Sequence, residues 1–331
     1  METKIFKKEE IPEAVNLLKK GELVAFPTET VYGLGALATN EKAVKGVYAA
    51  KGRPSDNPLI VTVADEKMMA RYVKEIPERA QKLINHFWPG PLTMILFAKE
   101  GSLPTAVTGG LPTAAFRCPN DELTHELITR LNAPIVGPSA NTSTKPSPTT
   151  AQHVYHDLKG KIAGIIDNGP TEIGLESTII DLSVNIPVVL RPGEITPEEL
   201  SEVLGEKVLM NKGTTKTSGV PKAPGMKYRH YAPSAPVYIV DNEMDFNSIP
   251  TGETVGVVAL QSVLDKMNAV NKFSLGKTID DAAHNLFGAL RFFDNQPQIK
   301  EIYVQGFDNG DISAAYMNRL NKSAAGHHFY K

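Results

Sequence analysis

Leu23-Val24-Ala25-Phe26-Pro27-Thr28-Glu29-Thr30-Val31-Tyr32-Gly33-Leu34-Gly35 opens as an apolar run of strand length and breaks into hydroxyls, a carboxylate and glycines. That order decides the fold class. A short buried strand running straight into a polar, Gly-bearing loop is how α/β proteins present ligand contacts at a strand end. The order recurs along the chain. Lys51-Gly52-Arg53-Pro54 and Asn57-Pro58 stand before Leu59-Ile60-Val61-Thr62-Val63, and Ile135-Val136 leads into Gly137-Pro138-Ser139-Ala140-Asn141. Gly33-Leu34-Gly35 is not a dinucleotide fingerprint, because the third glycine and the ribose-binding acid at its usual distance are both missing. No Gly-Lys-Ser/Thr phosphate loop occurs either. Cations, hydroxyls and glycines suit an anion's oxygens, and no Ser–His or Cys–His pairing stands beside them. The expected chemistry is therefore the positioning of a phosphorylated ligand that itself reacts.

Working outward, β-like runs are expected at 59–63, 92–97, 114–117, 135–136, 165–166, 178–181 and 188–191, with helices at 41–50, 66–73 and 78–87 between them. Thr196-Pro197-Glu198-Glu199 is a capping box with proline in the first turn, opening a helix through Leu204. The composite is a mixed sheet flanked by helices over 1–205. Residues 206–235 read as a connector, polar and Gly/Ser/Thr-rich at 212–219. A second α/β rhythm occupies 236–331, with strands at 237–240, 255–260 and 302–304 and helices at 280–294 and 313–325. A chain of 331 residues makes two domains the natural division.

Composition limits the function classes. A charged content of 22% against 41% hydrophobic is that of an ordinary globular protein, and no apolar run approaches a membrane span. Met1-Glu2-Thr3-Lys4-Ile5 has no apolar signal stretch, and the single cysteine, Cys118, forms no internal disulfide, so the cytoplasm is the expected setting. Cys118 reads as a small buried thiol rather than a nucleophile. One cysteine also excludes zinc-type spacing, and His327-His328 read as tail residues. A net charge of −2 gives no global basic field for nucleic acid.

Each candidate residue has an ordinary alternative. Lys51 and Arg53 end a helical run, where cations are favoured anyway. For both to face one ligand the backbone must bend, which Gly52 and Pro54 permit. Ser139, Asn141, Ser143, Thr144, Lys145 and Ser147 make a solvated turn or a phosphate cradle, with a helix N-terminus near 149–151 adding N–H groups. Arg117 and Arg191 end strands, as salt bridges or as forks for carboxylate and phosphate. Two tyrosines, two cations and a histidine within Lys227-Tyr228-Arg229-His230-Tyr231 exceed what a spacer needs, so this segment is either a tether or a cover for the site.

Taken together these clusters closely resemble the YrdC family in its long, two-domain branch. The matching residues are Pro27 through Leu34, Lys51-Gly52-Arg53-Pro54, Asn57-Pro58-Leu59, Phe116-Arg117-Cys118-Pro119, Pro138-Ser139-Ala140-Asn141, Ser177-Thr178-Ile179 and Arg191-Pro192-Gly193. Ala223 through Pro233 and Met317-Asn318-Arg319-Leu320 resemble the two-domain form. The resemblance implies a YrdC-like twisted mixed sheet with a smaller Rossmann-like C-terminal α/β domain. It implies a nucleotidyltransferase that makes threonylcarbamoyl-adenylate from L-threonine, bicarbonate and ATP. Pyrophosphate is released, and the product feeds a separate tRNA threonylcarbamoyl-transfer machinery. By resemblance Lys51, Arg53, Ser139 and Asn141 are the core polar set. ATP would contact Arg53, Asn57, Thr113, Ser139, Ser147, Arg191 and Tyr231, and threonine Thr30, Thr62, Arg117, Gly137 and Ser177. Thr62 departs from the pattern, standing where some relatives carry histidine. Magnesium would arrive with ATP, with no organic cofactor. An RNA-binding module and a carbamoyl-transfer protein are the competing classes, and weak RNA binding is compatible with the first reading.

Overall fold

A computed structural model describes residues 2–55, 57–211, 222, 230–308 and 310–330, the side chains of 311 and 312 excepted. Eleven strands form the first sheet: β1 (Lys4–Phe6), β2 (Val24–Phe26), β3 (Gly33–Leu37), β4 (Ile60–Thr62), β5 (Leu92–Phe97), β6 (Thr113–Arg117), β7 (Ile135–Val136), β8 (Gly164–Ile166), β9 (Thr178–Asp181), β10 (Val188–Arg191) and β11 (Leu209–Met210). Their spatial order is β1-β8-β2-β3-β7-β4-β6-β5-β9-β10-β11. Pairing is mixed, antiparallel for β2/β3 and β5/β6 and parallel for β4/β6 and β5/β9. Because β11 pairs with β10, the first sheet runs past residue 205, where its unit is expected to end. The reason is the apolar Val208 and its neighbours, which continue the core beyond the helix Pro197–Leu204.

Three expectations are corrected. Gly33–Leu37 is a strand rather than a loop, antiparallel to β2. The Phe26 ring lies over it: a Cβ on Gly33 would sit 2.5 Å from Phe26 Cζ, so glycine is there for ring packing. The helix expected over 66–73 stops at Met69, capped at its start by the Asp65 carboxylate accepting from Met68 N. In the helix Glu78–Phe87, Pro77 is the N-cap rather than a first-turn residue. The Thr196 capping box forms as read, with Thr196 Oγ1 accepting from Glu199 N, a contact worth about 1 kcal/mol.

Helices seal the first sheet. Ile11–Lys19 buries Ile11, Ala14, Val15 and Leu18 at helical spacing and packs on Glu122–Leu131, which buries Leu123, Leu127, Ile128 and Leu131. A second, wholly parallel sheet follows, β12 (Val237–Val240), β13 (Val255–Ala259), β14 (Asn271–Ser274) and β15 (Glu301–Gln305), in the order β12-β15-β13-β14. Helices Ile279–Asp294 and Asp311–Ser323 pack on each other beside it. Val31 and Leu175 from the first unit, and Tyr231 from the connector, are buried in the same apolar cluster as Leu286, Phe287 and Leu320. The two units thus share part of one core.

Cys118 is buried, and its Sγ donates to Ala64 O at 3.2 Å. Burial, aided by Glu29, pushes the thiol up to about 12. The folded protein should therefore resist iodoacetamide at pH 8 and be alkylated once in urea; rapid labelling of the native chain would contradict the burial. No helix among the described residues is long and apolar enough to cross a membrane.

Candidate active site

Strand ends from across the first sheet converge on one cavity of about 70 Å³, room for a handful of ordered waters. Phe26, Gly33, Ile60, Thr62, Gly137 and Pro138 form its floor. Gly137 has the same cause as Gly33, since a Cβ there would lie 2.5 Å from Thr62 Oγ1 and 2.9 Å from Phe26 Cζ. The polar wall is Thr28, Arg53, Arg117, Ser139, Asn141, Lys145, Glu176, Ser177 and Arg191, and the connector adds His230 and Tyr231.

Arg117 ends β6 almost wholly buried. Its Nη2 donates to Glu29 Oε2 at 2.5 Å and its Nε to Gly90 O at 3.4 Å. Glu29 is itself buried and also accepts from Asn120 N at 3.1 Å. Across the wall, Arg191 Nε donates to Ser177 O at 3.0 Å and Nη2 to Ser177 Oγ at 3.1 Å, while Thr93 Oγ1 lies 2.8 Å from the same hydroxyl. Burial pulls Arg191 down to about 10, which leaves it cationic at neutral pH. Two buried guanidinium groups, besides the more exposed Arg53, thus flank the cavity, one matched by a carboxylate and one held to a serine.

Lys51 ends the helix Glu41–Lys51, with Gly52 in the left-handed conformation as its cap. Lys51, expected to face the ligand, is placed beneath the neighbouring loop. Its ammonium does not line the cavity; it donates to Ser139 O and, at 2.8 Å, to Asn141 O, with Asn141 Oδ1 at 3.4 Å. Burial, with the Arg53 guanidinium nearby, pushes its pKa well below the ordinary lysine value. Lys51 is a peg under the Ser139–Asn141 loop. Thr30 also lies behind the wall, fully buried, its hydroxyl 2.9 Å from that of Thr28. Asn57, Thr113 and Ser147 are buried and do not line the cavity, whereas Arg53, Ser139, Asn141, Arg191, Tyr231, Thr62, Arg117, Gly137 and Ser177 do. Asn57 keeps both amide atoms buried without a hydrogen-bond partner.

Glu176 is a wall residue that no site expectation named, and His230 belongs to the connector segment read as a tether or a cover. Ser147 Oγ donates to Glu176 Oε1 at 2.5 Å, and Arg319 Nε to Oε2 at 2.9 Å. Burial alone would push the Glu176 carboxyl up; Arg319, Arg191 and the Ser147 hydroxyl outweigh it and hold the group at about 2. A depressed carboxyl stabilises the fold above its unfolded value near 4.5 and loses that contribution as pH falls toward 2. The stability deficit of Glu176→Gln should therefore be largest at neutral pH and shrink between pH 4.5 and 2.5 in urea titrations. A deficit unchanged at pH 2.5 would mean the carboxylate was never held ionised. His230 keeps Nε2 buried without a partner, and burial pulls its ring down to about 4, so it is neutral at physiological pH. Tyr231 packs at 5.1 Å on Phe287 with φ 64, a conformation costly for a bulky residue. Of the connector segment read as a cover, Lys227, Tyr228 and Arg229 lie outside the described residues.

Among the described residues no cluster of three or more His, Cys, Asp or Glu is placed to hold a metal. Glu176, the one carboxylate of the cavity wall, is committed to Arg319 and Ser147.

A family model described as telomere recombination, Sua5/YciO/YrdC, matches residues 16–193. A second, described as the threonylcarbamoyl-AMP synthase C-terminal domain, matches residues 195–325. The threonylcarbamoyl-AMP synthase of Pyrococcus abyssi is 46% identical over 321 residues, covering 94% of this chain and 93% of that one. That of Bacillus subtilis is 45% identical over 325 residues, covering 96% and 93%. The crystal structure of P. abyssi Sua5 complexed with L-threonine matches the fold with a TM-score of 0.91 at 42% identity, covering 100% of each chain. The two-unit architecture, the convergent polar cavity and these full-length likenesses agree, and the chain belongs to the Sua5/YrdC family of threonylcarbamoyl-AMP synthases, in the form that carries the C-terminal domain.

Proposed function

We propose that the protein makes L-threonylcarbamoyladenylate from L-threonine, bicarbonate and ATP, releasing pyrophosphate. The observation that carries the reading is the pair of buried guanidiniums, Arg117 and Arg191, facing one cavity beside the Ser177 hydroxyl. One fork suits an amino-acid carboxylate and the other a phosphate, and a single cavity holds both. Arg117 spends Nη2 and Nε on Glu29 and Gly90, which leaves Nη1 for the threonine carboxylate. The threonine nitrogen, once deprotonated, attacks the bicarbonate-derived carbon; a C–N bond forms and water leaves. A carbamate oxygen then attacks the α-phosphorus; an O–P bond forms, the α–β bridge breaks, and pyrophosphate departs.

Arg53 and Arg191 line the same cavity, and their role in this reading is to offset the charge that grows on the α-phosphate and the leaving group, with no covalent step on the protein. Ser139 and Asn141, pegged from below by Lys51, offer polar contacts on the same wall. Magnesium enters bound to ATP as substrate. Carbamates lose carbon dioxide in water, so His230 and Tyr231 in the wall protect the intermediate by excluding solvent. The product passes to a tRNA threonylcarbamoyl-transfer machinery, and the reducing cytoplasm fits a chain with one buried thiol.

The test is pyrophosphate release from purified protein with ATP, magnesium, bicarbonate and L-threonine, omitting one component at a time. Release that needs both threonine and bicarbonate, with the adenylate mass found promptly, supports the reading. Folded protein that binds ATP and shows no threonine-dependent release overturns it.

A further inference from the structure

The last helix of the second unit, Asp311–Ser323, backs onto the cavity wall through Arg319, which bonds the wall residue Glu176. Arg319 on that helix has no exposed surface at all. Its guanidinium donates mainly to first-unit groups, Nε to Glu176 Oε2 at 2.9 Å, Nη2 to Glu176 O at 3.1 Å and Nη1 to Pro192 O, with Nη1 also 3.3 Å from Asn318 Oδ1 on its own helix. Those acceptors lie at the adjoining ends of the paired strands β9 and β10, where Arg191 stands opposite Ile179 and a register shift interrupts the ladder. One end presents Ser177 to the cavity and the other presents Arg191. Arg191 and Ser177 are in turn bonded to each other. Through the Glu176 carboxylate the same guanidinium reaches Ser147, whose hydroxyl donates to Oε1 at 2.5 Å.

We propose that Arg319 is a positioning residue: it ties the Glu176–Ser177 and Arg191–Pro192 segments together so that the Ser177 hydroxyl and the Arg191 fork face one ligand. The proposal rests on the function given above for its kinetic arm and on geometry alone for its structural arm. A buried guanidinium whose three nitrogens all donate, three of the four bonds going to first-unit acceptors, is held far more tightly than a surface pair. Glu176 lacks the freedom to act as a base, because its ionised form is what the guanidinium holds. The second unit therefore contributes a side chain to the placement of the site, although that side chain touches no substrate.

The conservative variant Arg319→Lys keeps the charge and loses the fork. In folded protein, hydrogen exchange of peptides covering 176–178 and 191–193 should rise at least tenfold, with peptides from β4 and β6 unchanged. KM for threonine and for ATP should each rise about tenfold. A merely structural role would lower kcat in step with the folded fraction and leave both KM values alone. Glu176→Gln should resemble Arg319→Lys, and the double variant should be no worse than the poorer single one. Unchanged exchange in the two segments, unchanged KM values, or fully additive losses would each overturn the proposal. If the wild-type chain makes no adenylate, the functional reading fails, and the exchange measurement still decides the positioning role.

Discussion

Arg117→Ala should lower kcat/KM for threonine by about 10²–10³-fold, the scale of losing one partner of a buried, hydrogen-bonded charge pair. The variant should also be less stable by about 3–5 kcal/mol, because the Glu29 carboxyl is left buried without its guanidinium partner. The two effects have different origins and can be separated. Glu29→Gln removes the stranded carboxyl, so Arg117→Ala with Glu29→Gln should regain most of the stability and none of the threonine dependence. Urea unfolding and pyrophosphate release on the same three variants give the answer. If Arg117→Ala keeps the wild-type threonine KM, the carboxylate is held elsewhere.

Lys51→Met should separate activity from stability in the opposite sense. Methionine fills a similar volume, so the core around the helix end stays packed. The Ser139 and Asn141 carbonyls lose their buried donor, and the loop they belong to loses its peg. Turnover should fall about 100-fold, the order expected when a contact wall shifts by about 1 Å. Stability at pH 7 should change little, since an ammonium buried without a carboxylate is itself costly. The pH dependence carries the sign. A lysine whose folded pKa lies below its unfolded value near 10.5 binds more protons unfolded than folded within that window. Wild-type protein should therefore gain stability relative to Lys51→Met as pH rises from 7.5 to 9.5. A difference constant over that range would show that Lys51 is buried as an ordinary ammonium.

How much of this was legible in the chain depends on where each signal lies. The strands of the sheet centre announce themselves through branched residues, as in Ile60–Thr62 and Thr178–Asp181, because both faces are buried. β1 gives no such signal: Lys4 and Ile5 are exposed, and it pairs with β8 alone. Gly33–Leu37 misleads because glycines in a strand look like a loop until the Phe26 ring above them is seen. Arg117 and Arg191 were readable as candidates from their places at strand ends, and Ser177 through the family resemblance. Lys51 was readable as a candidate and not as a peg, since its acceptors lie about 90 residues away in the chain. Glu176 and Glu29 carry no local signal, because a lone glutamate beside a strand looks like surface. Only their arginine partners, brought from β6 and from the last helix, show otherwise.

The order of pairing has a consequence for synthesis. Lys4 waits for Gly164 before β1 has any neighbour, and Glu176 waits for Arg319 before its carboxylate meets a guanidinium. At ~5–20 residues per second of translation, the interval between residues 176 and 319 lasts roughly 7–30 s. For the later part of that time, once residue 210 has been made, the first unit is complete in sequence while its ligand wall lacks the clamp that sets Ser177 against Arg191. The chain therefore matures its chemistry last. A ribosome-bound intermediate that already has the large sheet should still be without a finished site, and competence should come with the closing helix rather than with the domain that contains the cavity.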